Sequence, residues 1–199
     1  MKVRLHHIMF PGIIFHEFSH YIACLLFGVR VKKVRWIGVH EAYVVHEQPT
    51  AWKALGITIA PFILGNGLAW LLLSAANRML SSPNPLALVY YWFSISLLFY
   101  AFPSEDDAAN AFRSFIETFR QGILRSRSWP ITLGWLALLP VLFVPLAVVL
   151  GAMLAFAWFF ALRLVWMLLV MLAAYDPMII RSVLAAFGLA LKAILRFFI

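Results

Sequence analysis

Apolar residues along this chain fall in long blocks separated by short polar stretches, and the block lengths set the elements. The first block covers about residues 8–28, the second 54–73 and the third 86–102. At 1.5 Å per residue in a helix, each approaches the length that crosses the hydrocarbon core of a bilayer. Residues 29–47 differ in character. Val29 and Val31, then Val39, Val44 and Val45, with Gly38 between them, predict two short strands around a turn. Arg30, Lys32, Lys33 and Arg35 would hold the first strand at a headgroup surface. From 108 to 128, Phe112, Phe115, Ile116, Phe119 and Ile123 recur at helical spacing among arginines, which predicts an amphipathic helix lying in the interface. Residues 129–175 are apolar except for Arg163, long enough for two spans, and the break is expected between Pro140 and Gly151. The tail, 178–199, brings Arg181, Lys192 and Arg196 close together on a helical wheel and reads as an interfacial helix, with a sixth span as the alternative. The expected fold is an all-α polytopic membrane protein of five to six transmembrane helices, with a small membrane-associated β-structure after the first helix.

Composition supports lipid as the solvent. Of 199 residues, 64% are hydrophobic and 12% charged, against about 25% charged in a soluble domain. The net charge of +8 comes from basic residues that flank apolar blocks, where they meet lipid headgroups. None is laid out for reading a groove, so nucleic acid is not an expected partner. With five spans, twelve Lys and Arg lie on the side reached after spans one, three and five. Only Lys2, Arg4 and Arg78 lie on the other. That places the N-terminus outside and the basic side in the cytoplasm. The single cysteine, Cys24, excludes an internal disulfide and sits in an apolar run as a packing residue. The basic start followed by an apolar stretch mimics a signal peptide, but ionisable residues interrupt that stretch and no small-residue cleavage site follows.

Those residues carry the candidate chemistry. Positions 16–20 read His16-Glu17-Phe18-Ser19-His20. Residues i and i+4 share a helical face, so both imidazoles can point at one ion. Glu17, on a neighbouring part of the wheel, can take a proton from a water held by Zn²⁺ without being a ligand. Three ionisable groups in one apolar helix are costly in lipid and mark a function. Zinc needs a third protein ligand, and Glu105-Asp106-Asp107 at the end of the third block is the best source, with Asp107 favoured. The same stretch, Ser104-x-x-Asp107, is also a capping box for a helix starting after Pro103, so a purely structural role competes. His6 and His7 sit at a membrane edge, and His40 and His46 in the strand region read as surface residues.

The motif at 16–20, continuing through Leu26-Phe27-Gly28-Val29, resembles the site-2 protease family of intramembrane zinc metalloproteases. Their HExxH helix runs into a small residue and then a membrane-associated β-structure. Ala60-Pro61 and Asn66 resemble the family's Gly-Pro-x-x-Asn motif, with Ala in place of Gly and a longer spacing to Asn. Pro103-Ser104-Glu105-Asp106-Asp107 stands where the family's later Asp motif belongs and is similar to a Pro-Ser-x-x-Asp variant of short prokaryotic members, which implies Asp107 as third ligand. The resemblance covers about residues 8–110. It divides the chain into a metalloprotease core, 1–110, and a region of further helices, 111–199. It implies a zinc-dependent endopeptidase that cuts a transmembrane segment of another protein near the cytoplasmic side of the bilayer, with Asn66 bonding substrate backbone or packing helices. A non-catalytic scaffold with a structural metal would need no base beside its ligands, and a transporter would need more polar residues than 129–175 offers.

Overall fold

A computed structural model describes residues 8–36, 42–80, 84–125 and 128–176. Among them are six helices and one hairpin. Helix α1 (Phe10–Leu26) is followed by strands β1 (Val31–Arg35) and β2 (Tyr43–His46), then by α2 (Ala51–Met79), α3 (Pro85–Phe99), α4 (Glu105–Arg125), α5 (Trp129–Trp158) and α6 (Phe160–Tyr175).

Helix α2 is the centre of the bundle, packing against α1, α3, α4 and α6. Three apolar clusters pin it along its length. Near its start, Ala51 meets Phe115 and Phe119 of α4 and Leu146 and Leu150 of α5. Around its second and third turns, Ile57 and Ala60 meet Ala23 and Cys24 of α1. Toward its end, Ala69 and Leu73 meet Leu97 and Leu98 of α3 and Met167 and Ala174 of α6. Pro61, Gly65, Asn66 and Gly67 do not interrupt it, so the helix runs 29 residues, about 43 Å, well past the block read from the sequence. Helices α2 and α5 are long and apolar enough to cross a membrane, while α3 and α6 are shorter apolar helices.

Helix α1 ends through glycine. Gly28 adopts φ +61°, the left-handed conformation that a side chain disfavours. It lets the Val29 N–H reach the Cys24 carbonyl at 2.8 Å and the Gly28 N–H reach Leu25 at 3.1 Å, which satisfies two of the last helical carbonyls. The chain then turns directly into β1. The hairpin is antiparallel, with Val34 opposite Val44 and Arg35 opposite Tyr43. The expected turn at Gly38 and the strand residue Val39, together with His6, His7, His40 and the tail 178–199, lie outside the described residues.

Helices α1 and α3 cross in backbone contact. A Cβ at Gly12 would overlap the Ser96 main chain. The Ser96 hydroxyl clips the crossing, accepting from the Gly12 N–H at 2.8 Å and donating to the Met9 carbonyl at 2.7 Å. The amphipathic helix expected over 108–128 is α4, one turn earlier at its start, with Ala108, Ala111, Phe115 and Phe119 buried. The break within 129–175 falls at Phe159, not between Pro140 and Gly151. Both Pro140 and Pro145 stay inside α5, each removing one N–H without ending the helix.

Candidate metal centre

His16 and His20 sit one turn apart on the inward face of α1. His20 is buried, and its side chain is 6% exposed against 11% for His16. Asp107 enters from the first turn of α4 with a side chain 19% exposed. These are the three residues among those described whose ligand atoms cluster as a metal site would require. His16 Nε2 and His20 Nε2 are 3.1 Å apart. Asp107 Oδ1 is 3.2 Å from His20 Nε2, and Asp107 Oδ2 is 3.4 Å from His16 Nε2.

These lengths test the fit to zinc. A tetrahedral ion bound at about 2.0–2.1 Å separates any two ligand atoms by about 3.3 Å. The donor set agrees. His16 Nδ1 lies 2.7 Å from the Tyr100 carbonyl and His20 Nδ1 2.8 Å from the Ile57 carbonyl. A carbonyl only accepts, so both Nδ1 atoms carry the hydrogen, and in the neutral rings both Nε2 atoms present lone pairs inward. Two lone pairs and a carboxylate meeting within 3.4 Å repel unless a cation joins them. Asp107 completes the donor set with two carboxylate oxygens, 3.2 and 3.4 Å from the two Nε2 atoms.

Asp107 also starts its helix. Its Oδ2 accepts from the Ser104 N–H at 2.8 Å and the Ser104 hydroxyl at 2.7 Å, and its own N–H donates to Ser104 Oγ at 3.2 Å. The capping role and the clustering with the histidines, set against each other in the sequence, coexist in one carboxylate. From α2, Thr58 Oγ1 donates to the Asp107 carbonyl at 3.1 Å. Neither Glu105 nor Asp106 joins the cluster; Glu105 lines the cavity in front of it.

That cavity has a volume of about 380 Å³, and His16, Glu17, Ser104 and Arg163 contribute to its wall. Glu17 faces this space beside His16, outside the triangle of His16, His20 and Asp107. Strand β2 packs against α1, the helix that carries Glu17. Arg163, visible in the sequence only as an isolated charge in an apolar helix, reaches the cavity across the Phe99 ring, 4.9 Å from its centroid. Its isolation was the signal that could have placed it here. Asn66 stands elsewhere: its amide donates to the Phe62 carbonyl and accepts from Trp166 Nε1, both at 2.7 Å, which ties α2 to α6. His46, in β2, bonds the Glu47 carbonyl.

No curated protein and no solved structure matches the chain. Residues 9–111, just over half of its length, match the DUF3267 family, described as "Putative zincin peptidase". That segment contains α1, the hairpin, α2, α3 and the first turns of α4, and so all three clustered residues and Glu17. The chain belongs to this family of zincin peptidases.

Proposed function

We propose that the protein is an intramembrane zinc endopeptidase of the site-2 protease type, cutting a peptide bond in or near a transmembrane segment of another membrane protein. The observation that carries this reading is the triangle of His16, His20 and Asp107 on apolar helices, with Glu17 beside it in an open cavity. A metal held only for structure is normally closed by four protein ligands and needs no adjacent base. Three ligands and a free carboxylate suit catalysis.

In this reading His16, His20 and Asp107 hold the ion. Zinc supplies Lewis acidity, acidifying a bound water and polarising the peptide carbonyl. Glu17 receives the proton of the attacking water as its oxygen bonds to the carbonyl carbon. Glu17 then returns that proton to the departing amine nitrogen as the C–N bond breaks. Strand β2, paired on one side with β1 and packed against the helix of Glu17, suits β-augmentation by an unwound substrate segment. The long apolar helices α2 and α5 and the charge distribution support a multi-pass protein with its N-terminus outside and its site recessed from the cytoplasmic face.

The test is Glu17→Gln in purified protein, with cleavage of a transmembrane peptide and bound zinc measured side by side. Zinc should remain stoichiometric and cleavage should be lost. Full cleavage by this variant would refute the mechanism.

A further inference from the structure

The two carbonyls that orient the histidines share a property that neither histidine explains. In an α-helix the carbonyl of residue i accepts the N–H of residue i+4. For Ile57, in the second turn of α2, that residue is Pro61, which has no N–H. Ile57 is 3% exposed, so no water can replace the missing donor, and a buried carbonyl without a partner is costly. A proline ring also crowds the carbonyl four residues back and tilts it off the helix axis. The partner that this carbonyl finds is His20 Nδ1, at 2.8 Å.

Tyr100 repeats the arrangement by another route. It follows the last residue of α3. The N–H three residues on is absent because residue 103 is proline, and the N–H four residues on, that of Ser104, is bonded to Asp107 Oδ2. The main chain therefore leaves the Tyr100 carbonyl open, and His16 Nδ1 takes it at 2.7 Å.

We infer that Pro61 and Pro103 are positioning residues of the metal centre: each denies a main-chain donor to one carbonyl, and that carbonyl fixes the tautomer and ring orientation of one histidine ligand. The inference rests on the reading that His16 and His20 bind zinc. Partners of this kind set the nitrogen presented to the ion and raise its basicity. Any other residue at 61 would return an N–H in line with the Ile57 carbonyl and draw it back toward the axis of α2. Loss of the acceptor would leave His20 free to turn or to protonate at Nε2, the atom that faces the ion.

The decisive property is that helix stability and zinc affinity should move in opposite directions. Pro61→Ala restores a helical hydrogen bond and removes the ring, so the thermal midpoint of the zinc-free full-length protein in detergent should rise or hold. Its zinc affinity, measured by competition with a chromophoric chelator, should fall 10- to 100-fold, the usual effect of removing a ligand's supporting contact. Pro103→Ala should weaken zinc by the same order through His16. Pro140→Ala, inside α5 and remote from both histidines, is the control: it should change thermal stability and leave zinc affinity within twofold. Equal zinc affinity in wild type and Pro61→Ala would overturn the inference while leaving the metal centre standing. Wild-type protein that binds no zinc would overturn both. Should Pro61→Ala not be recovered folded, ¹⁵N imidazole spectra of zinc-loaded wild type decide the matter. Both rings are expected to carry hydrogen at Nδ1, and a ring with hydrogen at Nε2 would refute the assignment.

Discussion

Asp107→Asn separates the two tasks of one side chain. The amide oxygen can still accept the Ser104 N–H that Asp107 Oδ2 receives at 2.8 Å, so the start of α4 should survive. The anionic oxygen 3.2 Å from His20 Nε2 is lost. Removing a supporting contact around a metal costs about 10- to 100-fold in affinity, and removing the carboxylate itself should exceed that range. At free zinc about a hundredfold above the wild-type Kd, binding stabilises the fold by about 2.7 kcal/mol. For a chain of this size that is a rise in Tm of about 5–11 °C. A variant with affinity reduced more than a hundredfold should show under about 0.4 kcal/mol, or about 2 °C, at the same zinc. Ser104→Ala provides the comparison. It should lower the zinc-free Tm through the lost cap, by about 1 kcal/mol, yet keep most of the zinc-induced rise. Scanning fluorimetry of all three proteins with and without zinc reads both quantities. A zinc-induced shift in Asp107→Asn equal to that of wild type would refute the ligand assignment, and a collapse of its zinc-free Tm would refute the separation of roles.

Other substitutions probe the surroundings. Gly12→Leu forces α1 and α3 apart where their backbones touch, costing about 1–3 kcal/mol; because His16 and Tyr100 ride on those two helices, zinc affinity should fall with stability, and a change in Tm alone would show that the crossing does not position the site. Asn66→Leu removes the bond to Trp166 and should cost about 1 kcal/mol of stability with KM for a transmembrane peptide unchanged; a raised KM would return Asn66 to substrate binding. Arg163→Met should leave zinc binding intact and lower kcat/KM about 10- to 100-fold, the worth of a charged hydrogen bond to a substrate carbonyl; unchanged kcat/KM would confine Arg163 to holding α6 against Phe99.

Which features were readable in the sequence follows from where the information resides. His16, Glu17 and His20 declare themselves because the i, i+4 relation is local and needs only a helix. Asp107 was reachable because zinc needs a third ligand and because 103–107 resembles a family motif, although its place beside His16 depends on packing across 91 residues. The hairpin followed from its valines and from the end of α1 at Gly28. By contrast, the acceptors of the histidines, Ile57 and Tyr100, act through main-chain atoms that carry no residue signature; only the prolines that free them appear in the sequence. The break at Phe159 was misplaced because it was expected between Pro140 and Gly151, residue types that disfavour helix, whereas Phe159 carries no such mark. In apolar surroundings helix-breaking residues are more readily tolerated than in water. Asn66 shows a converse limit: its type allowed either a substrate contact or a packing bond, and its bond to Trp166, a hundred residues on, has no local signature.

The separation of His16 from Asp107 has a consequence for biosynthesis. The ribosome delivers the two histidines early, and at about 5–20 residues per second the carboxylate follows some 5–18 s later. Throughout that interval α1 carries an open pair of imidazoles. On the proposed reading, the pair meets its carboxylate only when α4 docks. On that reading, an ion held by all three side chains reports that α1, α2, α3 and the start of α4 have found their places, because the carbonyls that accept from the two histidines come from α2 and from the residue after α3.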